Sequence, residues 1–211
     1  MTRSPFIYSH PLVYGAVMRA LYGRHFRDRS IALAAEVPAG ASVVEVCAGD
    51  CRLYSRFLKQ KGVQYRGLDI SAPFVAHAKA RGIDACIFDL WRDDVPPADV
   101  VVLQGSLYQF WSKASEIVTK LRQAAGQKLI VAESVRNLSD SPLRLVAGLS
   151  RRLTSVGGDS EHNAGTQPAR FDQESLSKLF ESIVGLERIF TIPGGREMVG
   201  IFHGAARTHH D

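Results

Sequence analysis

The 211-residue chain lacks the features of membrane, secreted and disulfide-stabilised proteins. No apolar run approaches the ~20 residues that a membrane-spanning helix requires. Residues 1–11 hold no continuous apolar core and no small-residue cleavage site, so no signal peptide is predicted. The three cysteines are an odd number and give no disulfide framework. We therefore expect a cytoplasmic protein with reduced thiols.

Metal-ligand spacing is also lacking, and the charge is only mildly of one sign. Cys47 and Cys51 stand four apart, but no histidine or cysteine pair completes a site, so no metal is predicted. The 26 basic residues exceed the 21 acidic ones and raise the question of a nucleic-acid partner. The basic clusters of the chain, at residues 19–29 and 144–152, are not interleaved with the aromatic side chains on which single-strand binders stack bases. Nucleic-acid binding is left open as the less favoured interpretation.

Hydrophobic residues make up 45% of the chain, which suits a globular core. Short apolar runs alternate with helical patterns, and this alternation is typical of a parallel sheet covered on both faces. The turn Pro193-Gly-Gly195 indicates an antiparallel hairpin near the end. We predict one doubly wound α/β domain with about seven mainly parallel strands, an antiparallel last strand and helices on both faces. The predicted strands cover residues 41–47, 63–69, 83–88, 100–104, 129–132, 186–192 and 198–202; the predicted helices cover 51–61, 74–80, 112–125 and 173–183.

Two segments fall outside this alternation. Residues 1–36 are interpreted as an N-terminal helical cap, with an amphipathic helix from Leu12 to Phe26. Residues 134–170 hold a helical patch from Pro142 to Leu153 and then a polar loop, which together are too long for a plain connection. We interpret this segment as a lid-like insertion over the site.

The first strand runs into the stretch Glu45-Val-Cys-Ala-Gly-Asp-Cys51. A turn between a strand and a helix presents backbone N–H groups to a ligand. The dinucleotide fingerprint needs three glycines here, whereas this chain has only Gly49, so NAD or FAD is a poor fit. Glu45 is predicted to accept hydrogen bonds from a cationic amino-acid head group or from the turn itself.

Two further acids stand at the ends of predicted strands. Asp69 follows Gly49 by 20 residues, and Asp89 follows Asp69 by 20. An acid at the position of Asp69 can chelate the two ribose hydroxyls of a nucleoside. Asp89 can accept the exocyclic amine of adenine, with Leu90 as an apolar wall. Aspartates also cap helices, but three successive acidic strand ends favour a nucleoside site.

With these motifs, the chain resembles the class I, Rossmann-like, S-adenosylmethionine-dependent methyltransferases over about residues 40–203. The resemblance implies that Glu45–Cys51 is the first cofactor loop, that Asp69 binds ribose and that Asp89–Leu90 binds adenine. It also places Gln104 beside the methionine moiety of S-adenosylmethionine. The implied cofactor-binding set is Glu45, Cys47, Ala48, Gly49, Asp50, Asp69, Ile70, Asp89, Leu90 and Gln104.

The loop departs from the family pattern at Cys47 and Cys51, which replace two of the three glycines. Cysteine is small enough to keep the turn. Because Cys51 is predicted to begin a helix, we expect its φ to be below zero.

The sequence says little about the methyl acceptor, and no catalytic residue is assigned. The Asp/Asn-Pro-Pro-aromatic motif that positions a base amino group is absent at residues 104–107. Positioning can supply most of the rate of an in-line displacement, with at most one general base. His162 is expected to be solvated, and Arg196–Glu197 to form an ion pair in a turn. The candidate substrate-binding residues are Tyr14, Tyr108, Glu133 and Arg136.

We therefore expect O- or N-methylation of a small-molecule acceptor. Two alternatives stay open: an RNA-modifying methyltransferase, favoured only by the basic charge, and a non-catalytic cofactor-binding subunit. The sequence does not determine the oligomeric state.

Overall fold

The computed structural model describes residues 27–135 and 170–205, and its centre is a seven-stranded sheet. The order across the sheet is β3-β2-β1-β4-β5-β7-β6. The first five strands are parallel, and β7 runs antiparallel to both β5 and β6. This confirms the predicted mainly parallel sheet with an antiparallel last strand. The strands are β1 Ser42–Val46, β2 Gln64–Asp69, β3 Ala85–Ile87, β4 Ala98–Gln104, β5 Ala125–Ser134, β6 Leu186–Thr191 and β7 Glu197–His203.

The central strands are apolar on both sides because helices cover both faces. In β4, Val100 and Val102 belong to one core cluster, while Val101 and Leu103 belong to the other. The helices are α1 over residues 27–36, α2 over 52–61, α3 Ala72–Ala80, α4 Ala114–Ala124 and α5 Gln173–Glu181. Within α2, a π-helical stretch Tyr54–Leu58 is followed by a 3₁₀ turn Lys59–Lys61.

Strand register brings the candidate site together. Val46 of β1 pairs with Leu68 of β2 on one side and with Leu103 of β4 on the other. The residues that follow these two neighbours, Asp69 and Gln104, therefore flank Cys47 at the carboxyl edge of the sheet. Parallel strands end at the same edge, which is where open α/β sheets bind ligands.

Three elements differ from the sequence prediction, and the first is α1, which covers residues 27–36, beyond the end of the predicted N-terminal helix. A 3₁₀ segment, Leu107–Lys113, connects β4 to α4 where no element is predicted. Strand β5 begins at Ala125 rather than at residue 129, because Ala125 already pairs with Ala98 at the start of β4. The predicted helix over residues 12–26 and the helical patch over 142–153 lie outside the described residues.

Candidate functional site

The loop after β1 keeps a left-handed backbone at all three glycine positions of the cofactor-loop pattern. The φ angles are +55° at Cys47, +55° at Gly49 and +51° at Cys51. The expectation of a negative φ at Cys51 is therefore wrong. The reason is that Cys51 closes a turn, with its N–H donating to the Ala48 carbonyl at 2.9 Å, and α2 begins one residue later.

The side chain of Cys51 fits because β2 has a glycine opposite it. A β-carbon built on Gly67 would lie 2.8 Å from Cys51 Sγ and 3.1 Å from Tyr65 Oη. Such distances are shorter than van der Waals contact, so the sulfur occupies the space that a side chain at position 67 would need. Cys51 is 1% exposed as a result.

Asp69 fastens this loop to the end of β2. Its Oδ2 accepts the N–H of Gly49 at 2.7 Å, and its Oδ1 accepts the N–H of Ser71 at 2.8 Å. Burial raises the pKa of Asp69, while the two backbone N–H groups act in the opposite direction. The carboxylate is thus fixed at the rim predicted for ribose, with each oxygen taking one backbone hydrogen bond.

The next strand end continues the same rim. The N–H of Phe88 donates to the Asp69 carbonyl at 3.0 Å, so Asp89 follows closely beside it. Asp89 Oδ1 accepts the N–H of Trp91 at 3.0 Å. The side chain of Leu90 is buried and packs against the core, whereas Ile70 is 66% exposed. Ile70 and Ile87, which is 63% exposed and pairs with Asp69, are therefore large apolar side chains left exposed near the two acids.

Beneath the loop, Glu45 is buried between two neutral donors. Tyr65 Oη donates to its Oε2 at 2.6 Å, and Gln104 Nε2 donates to its Oε1 at 2.5 Å. Burial raises the pKa of Glu45 from about 4.5 to about 7, against the two hydrogen bonds that lower it. The oxygen Oε1 of Gln104 is buried and has no hydrogen-bond partner within the described residues.

The remaining loop residues shape the entrance to α2. Ala48 is buried, and its N–H donates to the Leu68 carbonyl at 3.0 Å. The carboxylate of Asp50 lies 3.9 Å from Arg52, and the carbonyl of Asp50 accepts from Arg81 at 3.4 Å.

A second buried polar group lies at the ends of β5 and β7. Arg29 Nη1 of α1 lies 3.2 Å from Glu197 Oε1, with both side chains less than a tenth exposed. The sequence predicts Glu197 in a turn beside Arg196, but it is buried against α1 instead, and that prediction is corrected. A β-carbon on Gly105 would lie 3.1 Å from Arg29 Nη1, so the arginine also packs on the backbone after β4.

Glu133, the candidate at the end of β5, anchors two backbone amides. Its Oε2 accepts the N–H of Tyr108 at 3.1 Å, and its Oε1 accepts the N–H of Ser134 at 2.8 Å. Burial raises the pKa of Glu133 from about 4.5 to about 7; Arg29 lowers it and Glu197 raises it.

Aromatic side chains surround the 3₁₀ segment after β4. The guanidinium carbon of Arg170 lies 5.0 Å from the ring centre of Tyr108. The rings of Trp111 and Phe171 are 4.4 Å apart, and Trp111 is 37% exposed. These contacts connect the β4 end to the chain that enters α5. The candidates Tyr14, Arg136 and His162 lie outside the described residues.

The thiols of the two loop cysteines, Cys47 and Cys51, are not activated as nucleophiles. Burial raises the pKa of Cys47 well above its usual range and that of Cys51 to about 12. Both therefore stay protonated at neutral pH, and a thiol is a far weaker nucleophile than a thiolate. Across residues 27–135 and 170–205, no group of three His, Cys, Asp or Glu side chains is placed to hold a metal ion.

No protein-family model and no curated protein sequence matches the chain. Solved structures do match it. A chain in the complex of the Haloferax volcanii Trm112 methyltransferase activator with a methyltransferase has a TM-score of 0.68 at 15% identity, over 98% of this chain and 100% of that one. Magnesium protoporphyrin IX methyltransferase from Synechocystis PCC 6803, solved with bound SAH, has a TM-score of 0.62 at 18% identity, over 89% and 92%.

Human N-acetylserotonin methyltransferase, solved in complex with SAM, has a TM-score of 0.64 at 16% identity. The alignment covers 93% of this chain and 56% of that one. At these identities the likeness defines the fold. The protein has the α/β fold of class I S-adenosylmethionine-dependent methyltransferases.

Proposed function

We propose that this protein binds S-adenosylmethionine at the carboxyl ends of β1 to β4 and transfers its methyl group to an oxygen or nitrogen of a small-molecule acceptor. The observation that carries the proposal is the hydrogen bond between the Asp69 carboxylate and the loop after β1. One carboxylate holds the backbone of Gly49, in a turn with three left-handed residues, at the ligand-binding edge of the sheet.

The nucleoside half of the cofactor suits the rim. Each oxygen of Asp69 takes one backbone N–H and keeps a further lone pair, so the pair can accept two ribose hydroxyls. Asp89 stands beside it to accept an adenine amine. The exposed face of Ile70 would be covered by the adenine ring, which accounts for a large apolar side chain left 66% exposed next to two acids.

The amino-acid half suits the floor of the loop. Gln104 Oε1 is a buried acceptor without a described partner, and a buried acceptor left without a donor is costly. An ammonium group donating to Gln104 and lying near Glu45 would satisfy it. A β-carbon on Gly49 would meet nothing within 4 Å, so the loop backbone faces open space there.

When bound, the cofactor supplies a methyl group on a positively charged sulfur, which makes its carbon electrophilic. The protein residues position the two reactants in line and exclude water. Two of the similar structures carry the names of small-molecule methyltransferases, which supports a small acceptor for this chain.

Calorimetric titration with S-adenosylmethionine and S-adenosylhomocysteine tests the cofactor. We expect micromolar binding, and Asp69→Ala should weaken it by about 2 kcal/mol or more, roughly thirtyfold, because the ribose hydroxyls lose a charged acceptor. Asp84→Ala is the matched control, since Asp84 is half-exposed at the start of the neighbouring strand and pairs only with Arg66 among the ion pairs of the described residues.

Equal affinities for the Asp69 and Asp84 variants would contradict the proposed site. Methyl-labelled cofactor with cell extract then tests the acceptor. Label in the low-molecular-mass fraction supports a small acceptor, while label in RNA would replace it by an RNA acceptor, and binding without any transfer would indicate a non-catalytic subunit.

A further inference from the structure

We propose that Glu133 takes the proton from a phenolic hydroxyl whose ring lies against Trp111, on the aromatic surface that Tyr108 and Trp111 form in front of the buried Phe171. The proposal rests on the methyl transfer proposed above and assigns its acceptor class and its base.

Glu133 stands next to the proposed position of the methyl donor. Ala132 of β5 pairs with Gln104 of β4, and the N–H of Gly105 donates to the Ala132 carbonyl at 2.8 Å. Glu133 is therefore one residue beyond the pair, at the same edge of the sheet as Gln104. Gln104 is the residue proposed to hold the amino-acid half of the cofactor.

The carboxylate is fixed in place and keeps capacity to accept a proton. Its two oxygens accept the N–H groups of Tyr108 and Ser134, which leaves a lone pair on each. The two backbone amides fix the orientation of the Glu133 carboxylate and, being uncharged, do not cancel its negative charge. A base held in one orientation needs no rearrangement when the acceptor arrives.

The charged groups around Glu133 come from several elements. Arg29 of α1 favours its ionised form and Glu197 of β7 opposes it. Cys47, on the loop after β1, lies near enough for Glu133 to raise the pKa of its thiol. The pKa of Glu133 is about 7, and a general base works best when its pKa lies near the operating pH.

The aromatic surface begins at the same carboxylate. Tyr108 donates its backbone N–H to Glu133. Trp111 lies three residues further along the same 3₁₀ segment, and its ring centre is 4.4 Å from that of Phe171. Trp111 is 37% exposed whereas Phe171 is buried, so Trp111 offers the ring face on which an aromatic acceptor can stack. Arg170, 5.0 Å from the ring centre of Tyr108, adds a cation beside a developing phenolate.

The chemistry of phenols suits this base better than that of alcohols. A phenol has a pKa of about 10, as in tyrosine, about three units above that of Glu133. In the transfer, the phenol oxygen forms a bond to the methyl carbon. The carbon–sulfur bond breaks with its electron pair left on sulfur, and the hydroxyl proton passes to Glu133. The products are a methyl aryl ether, a neutral thioether and a protonated carboxyl group, which later loses its proton to water.

The experiment compares two acceptors of different acidity in the full-length protein. Methyl transfer from S-adenosylmethionine is measured with naphthol, which is protonated near pH 8, and with a nitrophenol, which is already largely ionised there. Glu133→Gln should lower kcat for naphthol by about a hundredfold or more. It should lower kcat for the nitrophenol by less than about fivefold, because an ionised acceptor needs no base.

The nitrophenol rate and the cofactor affinity in the same variant show that it is folded. Glu181→Gln is the matched control, since Glu181 is an exposed acid on α5, and it should change neither rate. Equal losses with both acceptors would assign Glu133 a structural role only and overturn the proposal. Transfer to neither phenol by a wild-type protein that binds the cofactor would also overturn it. Failure to bind the cofactor would instead overturn the proposed function itself.

Discussion

Cys47 and Cys51 have backbone conformations that residues with a β-carbon rarely adopt. Their φ angles are +55° and +51°. For an L-residue this region costs roughly 1–2 kcal/mol, whereas glycine enters it without penalty. The loop thus carries conformational strain that three glycines would not have, beside the atoms proposed to bind the cofactor.

Cys47→Gly tests this strain directly. Cys47 is only partly buried, so the lost packing is small and the relief of strain should dominate. We expect the free energy of unfolding to rise or stay level, by up to about 1 kcal/mol. Chemical denaturation in urea measures it.

Cys47→Val is the contrasting variant, because a β-branched side chain is less tolerated at positive φ and should destabilise the protein. If the glycine variant lost more than about 1 kcal/mol, packing of the thiol rather than backbone strain would dominate at this position.

At the residue scale, the sequence identified single acids better than their partners. Asp69 and Asp89 were predictable because an acid after an apolar strand is a local pattern. The buried pair of Arg29 and Glu197 was not, since its members are 168 residues apart and no local pattern connects them. The φ of Cys51 was mispredicted because Cys51 was expected to begin the helix, whereas it closes the preceding turn and α2 begins one residue later.

Strand β2 and the cofactor loop fit together through one small residue. Gly67 lies under Cys51, with only 2.8 Å from its would-be β-carbon to the sulfur. The contact joins two elements that are both needed for the rim, because Asp69 lies at the end of the same strand.

Gly67→Ala should therefore be costly only while the sulfur is present. We expect a loss of roughly 1–3 kcal/mol in the wild-type background, as for other overpacked cores. In the Cys51→Gly background the same change should cost much less, because the space is free. A double-mutant cycle by urea unfolding measures the coupling. Equal costs in both backgrounds would show that the alanine clashes with Tyr65 or Ala48 instead, which are the next atoms near it.

At the element scale, most of the fold was predictable. The strands and helices follow apolar runs, and the helix α4 follows a clear one-sided pattern with Ile117, Val118 and Leu121 buried. The 3₁₀ segment after β4 was not predictable, since Leu107 and Phe110 enter the core without a regular period. Its shape depends on a tertiary contact, the hydrogen bond from Tyr108 to Glu133.

Among the residues that the structure describes, the buried carboxyl groups of Glu45, Asp69 and Glu133 all hold their protons more tightly than usual. Burial raises the pKa of both Glu45 and Glu133 to about 7, from about 4.5. Between these values the folded protein binds more protons than the unfolded chain does. Stability therefore falls as pH rises through this window and levels off above about pH 7.

The expected slope is at most about 1.4 kcal/mol per pH unit for each group. Glu36 and Asp172 have lowered pKa values, so their opposite effect falls at more acidic pH, below 4.5 and 3.8 respectively. Urea unfolding at several pH values between about 5 and 8 measures the trend. Glu45→Gln should flatten it, and a wild-type stability that rises across this range would contradict the assignment.

No helix among the described residues is both long and apolar enough to cross a bilayer. At the scale of the whole chain, the mainly parallel sheet and its covered faces follow from the alternation of strands and helices, and the structure confirms them. The order of the strands was not predicted. The site proposed for the phenol could not be predicted in this way, because it combines the end of β5, the segment after β4 and the entry to α5. The proximity of residues so far apart in sequence can be recognised only from the folded structure.

The contact between Cys51 and Gly67 also affects the order in which substitutions at positions 51 and 67 can accumulate. In this backbone, a chain with a larger residue at position 67 has no room for a sulfur at position 51, whereas a chain with glycine at 67 accepts it. Where such a loop starts with a larger residue at 67 and a glycine at 51, a change at 67 before the change at 51 avoids the clash, which costs roughly 1–3 kcal/mol. A sequence search for the three-glycine pattern therefore misses a loop with cysteines at 47 and 51, although its backbone angles are those of the glycine loop.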